Sequence, residues 1–155
     1  MLDVAAPLSG TVVPLADVPD AVFAQEIVGP GVAIEPAPTD GRAGTSRVVA
    51  PVAGTIGSLF PHAFALETPD GRTVLVHLGI DTVQLAGEGF TLHVAAGDAV
   101  TAGQELITWD PVAVAGRGLA TVCPVVALQA PPGQVRVLLA PGDEVQAGDP
   151  LFSWA

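Results

Sequence analysis

A chain of 155 residues is long enough for one domain with a substantial core. Sixteen acids against five arginines and no lysine give a formal charge of −11, so nothing here could neutralise a run of phosphates and nucleic acid is excluded as a partner. Half of the residues are hydrophobic, but their runs are short, far from the ~18 to 20 apolar residues in a row that a membrane span needs.

The acidic balance serves solubility, or the attraction of a basic protein partner. One cysteine, Cys123, allows no internal disulfide and fits a reducing compartment. The first ten residues, MLDVAAPLSG, lack the basic start and apolar centre of a secretory leader. A cytoplasmic chain without membrane insertion is expected, and residues 1–155 read as a single domain.

Eighteen glycines and fifteen prolines, spread evenly, argue for many short strands and turns. Ala6-Pro7-Leu8-Ser9-Gly10-Thr11-Val12 returns 44 residues later as Ala50-Pro51-Val52-Ala53-Gly54-Thr55-Ile56. Asp17–Ala24 can make one helical turn, with aspartate as cap and proline in the first turn, from which Phe23 projects. Pro36–Ser46 is polar, rich in Gly and Pro, and reads as a loop.

Val48–Leu59 and Ala63–Leu66 follow as strands separated by Phe60-Pro61-His62. Gly71, after Asp70, marks a hairpin turn into the strand that starts at Thr73. If those strands pair around Pro69–Arg72, His62 and His77 sit near the same end. Alternation puts Thr73, Leu75, His77 and Gly79 on one face and Val74, Val76 and Leu78 on the other. Gly79 is expected to clear room beside the His77 imidazole. Gly87 and Gly89 punctuate the next segment as turn or bulge positions.

Gly97-Asp98-Ala99-Val100-Thr101-Ala102-Gly103 returns 45 residues later as Gly142-Asp143-Glu144-Val145-Gln146-Ala147-Gly148, and the match extends to Leu106 and Leu151, Trp109 and Trp154. Two copies of each motif point to a duplicated, pseudo-symmetric all-β architecture packed across one core. Asp110–Ala115 is a second candidate helical turn. Val122–Ala155 supplies three or four strands, with Pro124 and Pro131-Pro132 confining some to edges.

The chemistry rests on three histidines, His62, His77 and His93. Cys123 precedes a proline and has no basic neighbour, which describes a small buried hydrophobe. His93 reads as the outward residue of a strand. His62 and His77 have too few companions for a zinc site, since no H-x-H or H-E-x-x-H spacing completes one. A neutral imidazole is, however, a competent nucleophile near pH 7, and phosphoimidazole is labile enough to favour onward transfer. A second imidazole nearby can donate to the phosphate oxygens. The pair can equally be ordinary strand histidines.

These residues resemble the glucose-family enzyme IIA of the bacterial sugar phosphotransferase system. The likeness runs through APLSGTVVPLADVPDAVFAQEIVGPGVAIEP (Ala6–Pro36), VVAPVAGTIGSLF (Val48–Phe60), HAFALET (His62–Thr68) and VHLGIDTVQLAGEGF (Val76–Phe90). AGDAVTAGQELITWD and Pro124–Val126 follow in order. The resemblance implies an antiparallel β-sandwich with internal duplication and one or two short helical turns. It implies that His77 accepts phosphate from the phosphocarrier HPr and passes it to a cysteine of a IIB domain, with His62 orienting the phosphate. Asp81 would face partner cations at the rim, and Val22, Phe23, Val28, Phe60 and Leu75 would form an apolar docking depression. No cofactor or metal is implied.

Many members carry a threonine shortly before the first histidine, able to hydrogen-bond the second. Phe60-Pro61-His62 is shorter and lacks it, so another group, Thr73 among the candidates, must hold the His77 tautomer. The long charged N-terminal extension of some members is also missing, so membrane association through such a helix is not expected. The alternative within the resemblance is a regulatory binding protein whose phosphorylation state controls permeases or metabolic enzymes. Biotin or lipoate carriers share hairpins of this pattern but attach their group to lysine, which this chain lacks. A lysostaphin-type zinc endopeptidase would need the missing H-x-H.

Overall fold

The structure, a computed structural model, describes residues 1–37 and 45–155. Fourteen short strands dominate it: β1 Leu2–Ala5, β2 Gly10–Val13, β3 Gly31–Pro36, β4 Ser46–Val49, β5 Gly54–Phe60, β6 Ala63–Glu67, β7 Thr73–His77, β8 Phe90–Leu92, β9 Ala99–Val100, β10 Glu105–Trp109, β11 Cys123–Ala127, β12 Val135–Val137, β13 Glu144–Val145 and β14 Pro150–Trp154. Two short α-helices, α1 Ala21–Ala24 and α2 Pro111–Gly116, and two single 3-10 turns, Leu15–Asp17 and Thr82–Leu85, complete it.

All strand pairings are antiparallel. The eight-stranded sheet runs β13-β2-β3-β11-β7-β6-β5-β9, and two three-stranded sheets run β1-β14-β12 and β4-β10-β8. This is the expected antiparallel β-sandwich.

The duplication read from the sequence is carried by the two ends of the large sheet. Gly142 N–H donates to Val12 O at 2.9 Å, and Gly97 N–H donates to Ile56 O at 2.8 Å. Val12 N–H and Ile56 N–H return bonds to the carbonyls of Asp143 and Asp98. The Asp143 and Asp98 carboxylates accept from Ala140 N–H and Ala95 N–H, both at 2.9 Å. Gly142 and Gly97 take φ of +90° and +91°, which glycine alone adopts without cost. Each repeat is thus a turn chemistry that docks one hairpin onto one edge.

One face of the large sheet contributes Val12, Ile34, Phe64, Leu66, Val74, Val76 and Val125 to the main core. Against them pack Val4, Leu106, Ile107, Trp109, Leu151, Phe152 and Trp154 from the small sheets. Phe64, Trp109 and Phe152 are fully buried; truncating such an aromatic to alanine costs about 3–5 kcal/mol. Cys123 is buried in this core as expected, and burial pushes its thiol pKa far up.

The opposite face carries a second, smaller cluster. Leu15, Val18, Phe23 and Ile80 cover Ala33, Val122 and Val126, with Val13, Val28, Leu75 and Ala120 at its margin. The α1 region and the loop after β7 are laid across the sheet here, and this cluster holds the floor of the site described below.

Several expectations need correction. Val48–Leu59 is two strands in different sheets, because the chain turns at residues 50–53 between β4 and β5. Pro124 lies in β11, a central strand rather than an edge. The sheet tolerates it because pairing with β7 begins only at Val125, so the missing N–H lies beyond that ladder. In the first helical region Asp20, not Asp17, caps α1, accepting from Val22 N–H at 2.9 Å; Pro19 precedes the cap. The second behaves as expected, with Asp110 capping and Pro111 in the first turn. Of the Pro36–Ser46 loop, Pro36 closes β3 and Ser46 opens β4, while residues 38–44 lie outside the described residues.

Candidate functional site

The β6–β7 hairpin positions both histidines. Gly71 makes the turn with φ +85°, and the strands pair from Glu67↔Thr73 to Ala63↔His77. His62 lies one residue beyond the ladder, where its carbonyl accepts from Leu78 N–H at 2.7 Å. The imidazoles of His62 and His77 face each other edge-on with ring centroids 5.1 Å apart. Strand alternation holds: Val74, Val76 and Leu78 point into the main core, while Leu75 and His77 lie on the second face.

The Phe23 ring packs against His77 at 5.5 Å between centroids, and Phe60 lies beside His62 at 5.9 Å. Burial drives the His77 pKa below its ordinary value, opposed by the hydrogen bond to Gly79 and by the carboxylates of Asp20 and Asp81. His62 is lowered chiefly by burial, then by repulsion from His77. Both shifts favour the neutral ring, the state in which imidazole has a lone pair to offer.

Nδ1 of His77 lies 2.5 Å from the Gly79 carbonyl oxygen. A carbonyl only accepts, so Nδ1 carries the proton and Nε2 is the nitrogen with the lone pair. Thr73, named among the candidates for this orienting role, sits at the far end of β7 opposite Glu67 and does not perform it. Gly79 also does not act as the spacer expected of it. It takes φ +75°, and a Cβ there would lie 2.7 Å from Thr82 Cγ2 and 2.8 Å from Ala120 O. Only glycine fits a backbone that turns back to the imidazole under that contact. Thr82 Oγ1 donates to Leu78 O at 2.7 Å, tying the same turn from the other side.

The residues expected to form a docking depression divide in two. Val22 and Phe60 are exposed, at 42% and 56%, and Asp81 is exposed at the rim with φ +62°. Phe23 is only 7% exposed, and Val28 and Leu75 are half-buried at the margin of the second cluster. Phe23 therefore does not project: α1 folds onto the sheet and makes it the wall of the histidine pocket. Asp20 was missed as a neighbour of His77, since its proximity depends on that same docking. His93 is remote and exposed, bonded to Thr108 Oγ1 at 2.7 Å. Among the described residues no group of three or more His, Cys, Asp or Glu is gathered as a set of metal ligands.

Residues 2–131 match the family described as phosphoenolpyruvate-dependent sugar phosphotransferase system, EIIA 1. The chain belongs to this EIIA family. It is 48% identical over 123 residues to the PTS system glucose-specific EIIA component of Halalkalibacterium halodurans, covering 78% of this chain and 67% of the relative. With the glucose-specific EIIA component of Oceanobacillus iheyensis it shares 38% over 127 residues, 81% of this chain and 73% of that one.

The Streptococcus pneumoniae glucose-specific EIICBA component is 48% identical over 117 residues, which is 73% of this chain but 15% of that much longer one. An EIIA unit can thus share a chain with B and C units of the same system. Among solved structures, glucose permease IIA from Mycoplasma capricolum superposes with a TM-score of 0.83 at 34% identity, covering 97% of this EIIA chain and 94% of the other. This EIIA chain is a phosphoryl-relay component of a sugar phosphotransferase system. Among the described residues no helix is long and apolar enough to cross a membrane.

Proposed function

We propose that His77 is the phosphoacceptor of this relay and that His62 orients the phosphate. The observation that carries the reading is the edge-on imidazole pair at 5.1 Å, with His77 Nδ1 anchored on the Gly79 carbonyl. The Nε2 lone pair attacks phosphorus, the bond from phosphorus to the donor nitrogen breaks, and its electron pair returns to the donor. In the second half, a thiolate attacks the same phosphorus and the electron pair of the N–P bond returns to Nε2. His62 donates to phosphate oxygens as charge shifts, next to the buried Phe23 ring on the His77 side, where the lower dielectric strengthens that bond.

The donor is HPr and the recipient a cysteine of a IIB domain. The exposed apolar pair Val22 and Phe60 offers contact area. The net charge of −11, with Asp20 and Asp81 beside His77, attracts partners that bring arginine or lysine to a phosphohistidine. The test is incubation of the purified chain with phosphoenolpyruvate, enzyme I and HPr. One acid-labile phosphate is expected on the wild type and none on His77→Gln, while His62→Gln accepts phosphate but passes it on poorly. Acceptance by His77→Gln would overturn the assignment.

A further inference from the structure

His62 is held in an unusual way. β5 and β6 pair at Leu59↔Phe64 and Phe60↔Ala63, so Pro61 and His62 are the two central residues of a two-residue hairpin turn. Such turns normally need positive φ at one or both centres to match the twist of the strands. Among the described residues the non-glycine positions with positive φ are Glu26, Asp81, Ala86 and Gln129, so neither Pro61 nor His62 supplies one. The turn works against the strand twist, and β5 shifts register between Ile56 and Ser58 within the same hairpin.

Three restraints act on this turn. The proline ring fixes φ at Pro61 near −65°. The same ring faces the loop after β7, where a Cβ added to Gly87 would meet Pro61 Cγ at 3.4 Å, so only a bare glycine separates the two. The His62 carbonyl is tied to Leu78 N–H at 2.7 Å. The turn that presents one imidazole is thus bonded through its backbone to the residue after the other, with the Pro61 ring set beside Gly87 of the following loop.

We propose that Pro61 is a positioning residue for phosphoryl transfer, its ring seated beside Gly87 holding the tight turn that sets the His62 imidazole against His77. The inference rests on the roles given above to the two histidines, but its geometric half stands apart from them. Substitution by alanine keeps a preference for negative φ without locking it, and glycine removes both lock and ring. A His62 freed from the turn spends less time beside His77 and less time out of water. The loss falls on passage of the phosphate, where His62 acts, and not on its capture by Nε2 of His77.

The experiment uses the full chain as wild type, Pro61→Ala, Pro61→Gly, His62→Gln and the Pro61→Gly/His62→Gln double variant, each checked for a native circular dichroism spectrum. In Pro61→Gly, kcat for passage is expected to fall about tenfold with KM and phosphate acceptance within about twofold, and Pro61→Ala to fall between. Non-additivity marks residues that act through one another, so the double variant should pass phosphate no more slowly than His62→Gln alone. By nuclear magnetic resonance, the His62 titration midpoint should rise in Pro61→Gly toward the ordinary value. A full additive loss in the double variant, or an unmoved His62 titration with wild-type passage, overturns the proposal. A wild type that takes no phosphate would overturn the relay reading instead, and the His62 titration would still decide the geometric half.

Discussion

His77 Nδ1 donates to the carbonyl oxygen of Gly79 at 2.5 Å, across one intervening residue of the same chain. The bond closes because Gly79 leaves the strand at φ +75° and turns its carbonyl back over the ring. Strand geometry alone would send residue 79 onward along the sheet. The glycine therefore decides which imidazole nitrogen is free to react, and it does so through its backbone.

Gly79→Ala tests that dependence. The new Cβ meets Thr82 Cγ2 at 2.7 Å and the Ala120 carbonyl at 2.8 Å, in a backbone conformation that disfavours any side chain. A loss of about 1–3 kcal/mol is expected from the strain, read as a lowered urea midpoint. Relief of the clash moves the carbonyl off Nδ1, so the His77 nitrogen chemical shifts should report a mixture of tautomers. A single Nδ1–H tautomer in a stable Gly79→Ala protein would show that some other group sets it.

The lowered pKa of both site histidines gives stability a pH dependence of known sign. The unfolded chain takes up protons at the ordinary histidine value of about 6.5, the folded chain only at lower pH. Between those limits the unfolded state binds more protons, so stability is complete above about 6.5 and declines as pH falls toward the lowered folded values. Urea midpoints at pH 7.5 and pH 5.5 should differ in that direction. The difference should shrink in a His62→Gln/His77→Gln variant, and an unchanged difference there would assign it to other groups.

Asp20 and Asp81 favour the charged form of His77, in opposition to its burial. Asp20→Asn and Asp81→Asn should each move the His77 titration midpoint further down. Because surface charge steers encounter, each should also slow association with a basic donor protein severalfold at low salt, and the loss should vanish at high salt. Association rates by stopped flow at two ionic strengths make the measurement. A deficit that persists in high salt would mean a direct contact instead of steering.

The frame of the site was legible in the sequence because it is local. Period-two alternation from Thr73 to Leu78 and a glycine turn at Gly71 were enough to bring His62 and His77 to one end of one hairpin. The paired Gly-Asp turns likewise announced the duplication. What could not be read was everything that depends on folding across the sheet. The Asp20 carboxylate and the Phe23 ring reach His77 only because the second cluster pins α1 there. The orienting acceptor is a backbone carbonyl, which no residue type advertises, although a glycine two residues after a histidine at a strand end is the trace it leaves. Pro124 misled because a proline rule for edges assumes both neighbouring ladders are complete, and one of them stops short.

Phe23 and Phe60 flank the two imidazoles as a pair, yet they should answer oppositely to truncation. Phe23 is 7% exposed and packs in the second cluster, whereas Phe60 is 56% exposed. Phe23→Ala should cost about 3 kcal/mol, the lower end for a core aromatic because the cluster is small and near the surface. It should also admit water to His77, whose depressed pKa stems first from burial, and so raise its titration midpoint. Phe60→Ala should leave stability within about 0.5 kcal/mol and weaken instead the binding of a partner that docks on the rim. Urea melts of both variants, His77 titrations and partner affinities distinguish the roles. If Phe60→Ala destabilises the fold as much as Phe23→Ala, its ring is part of the packing and the rim has lost its largest contact.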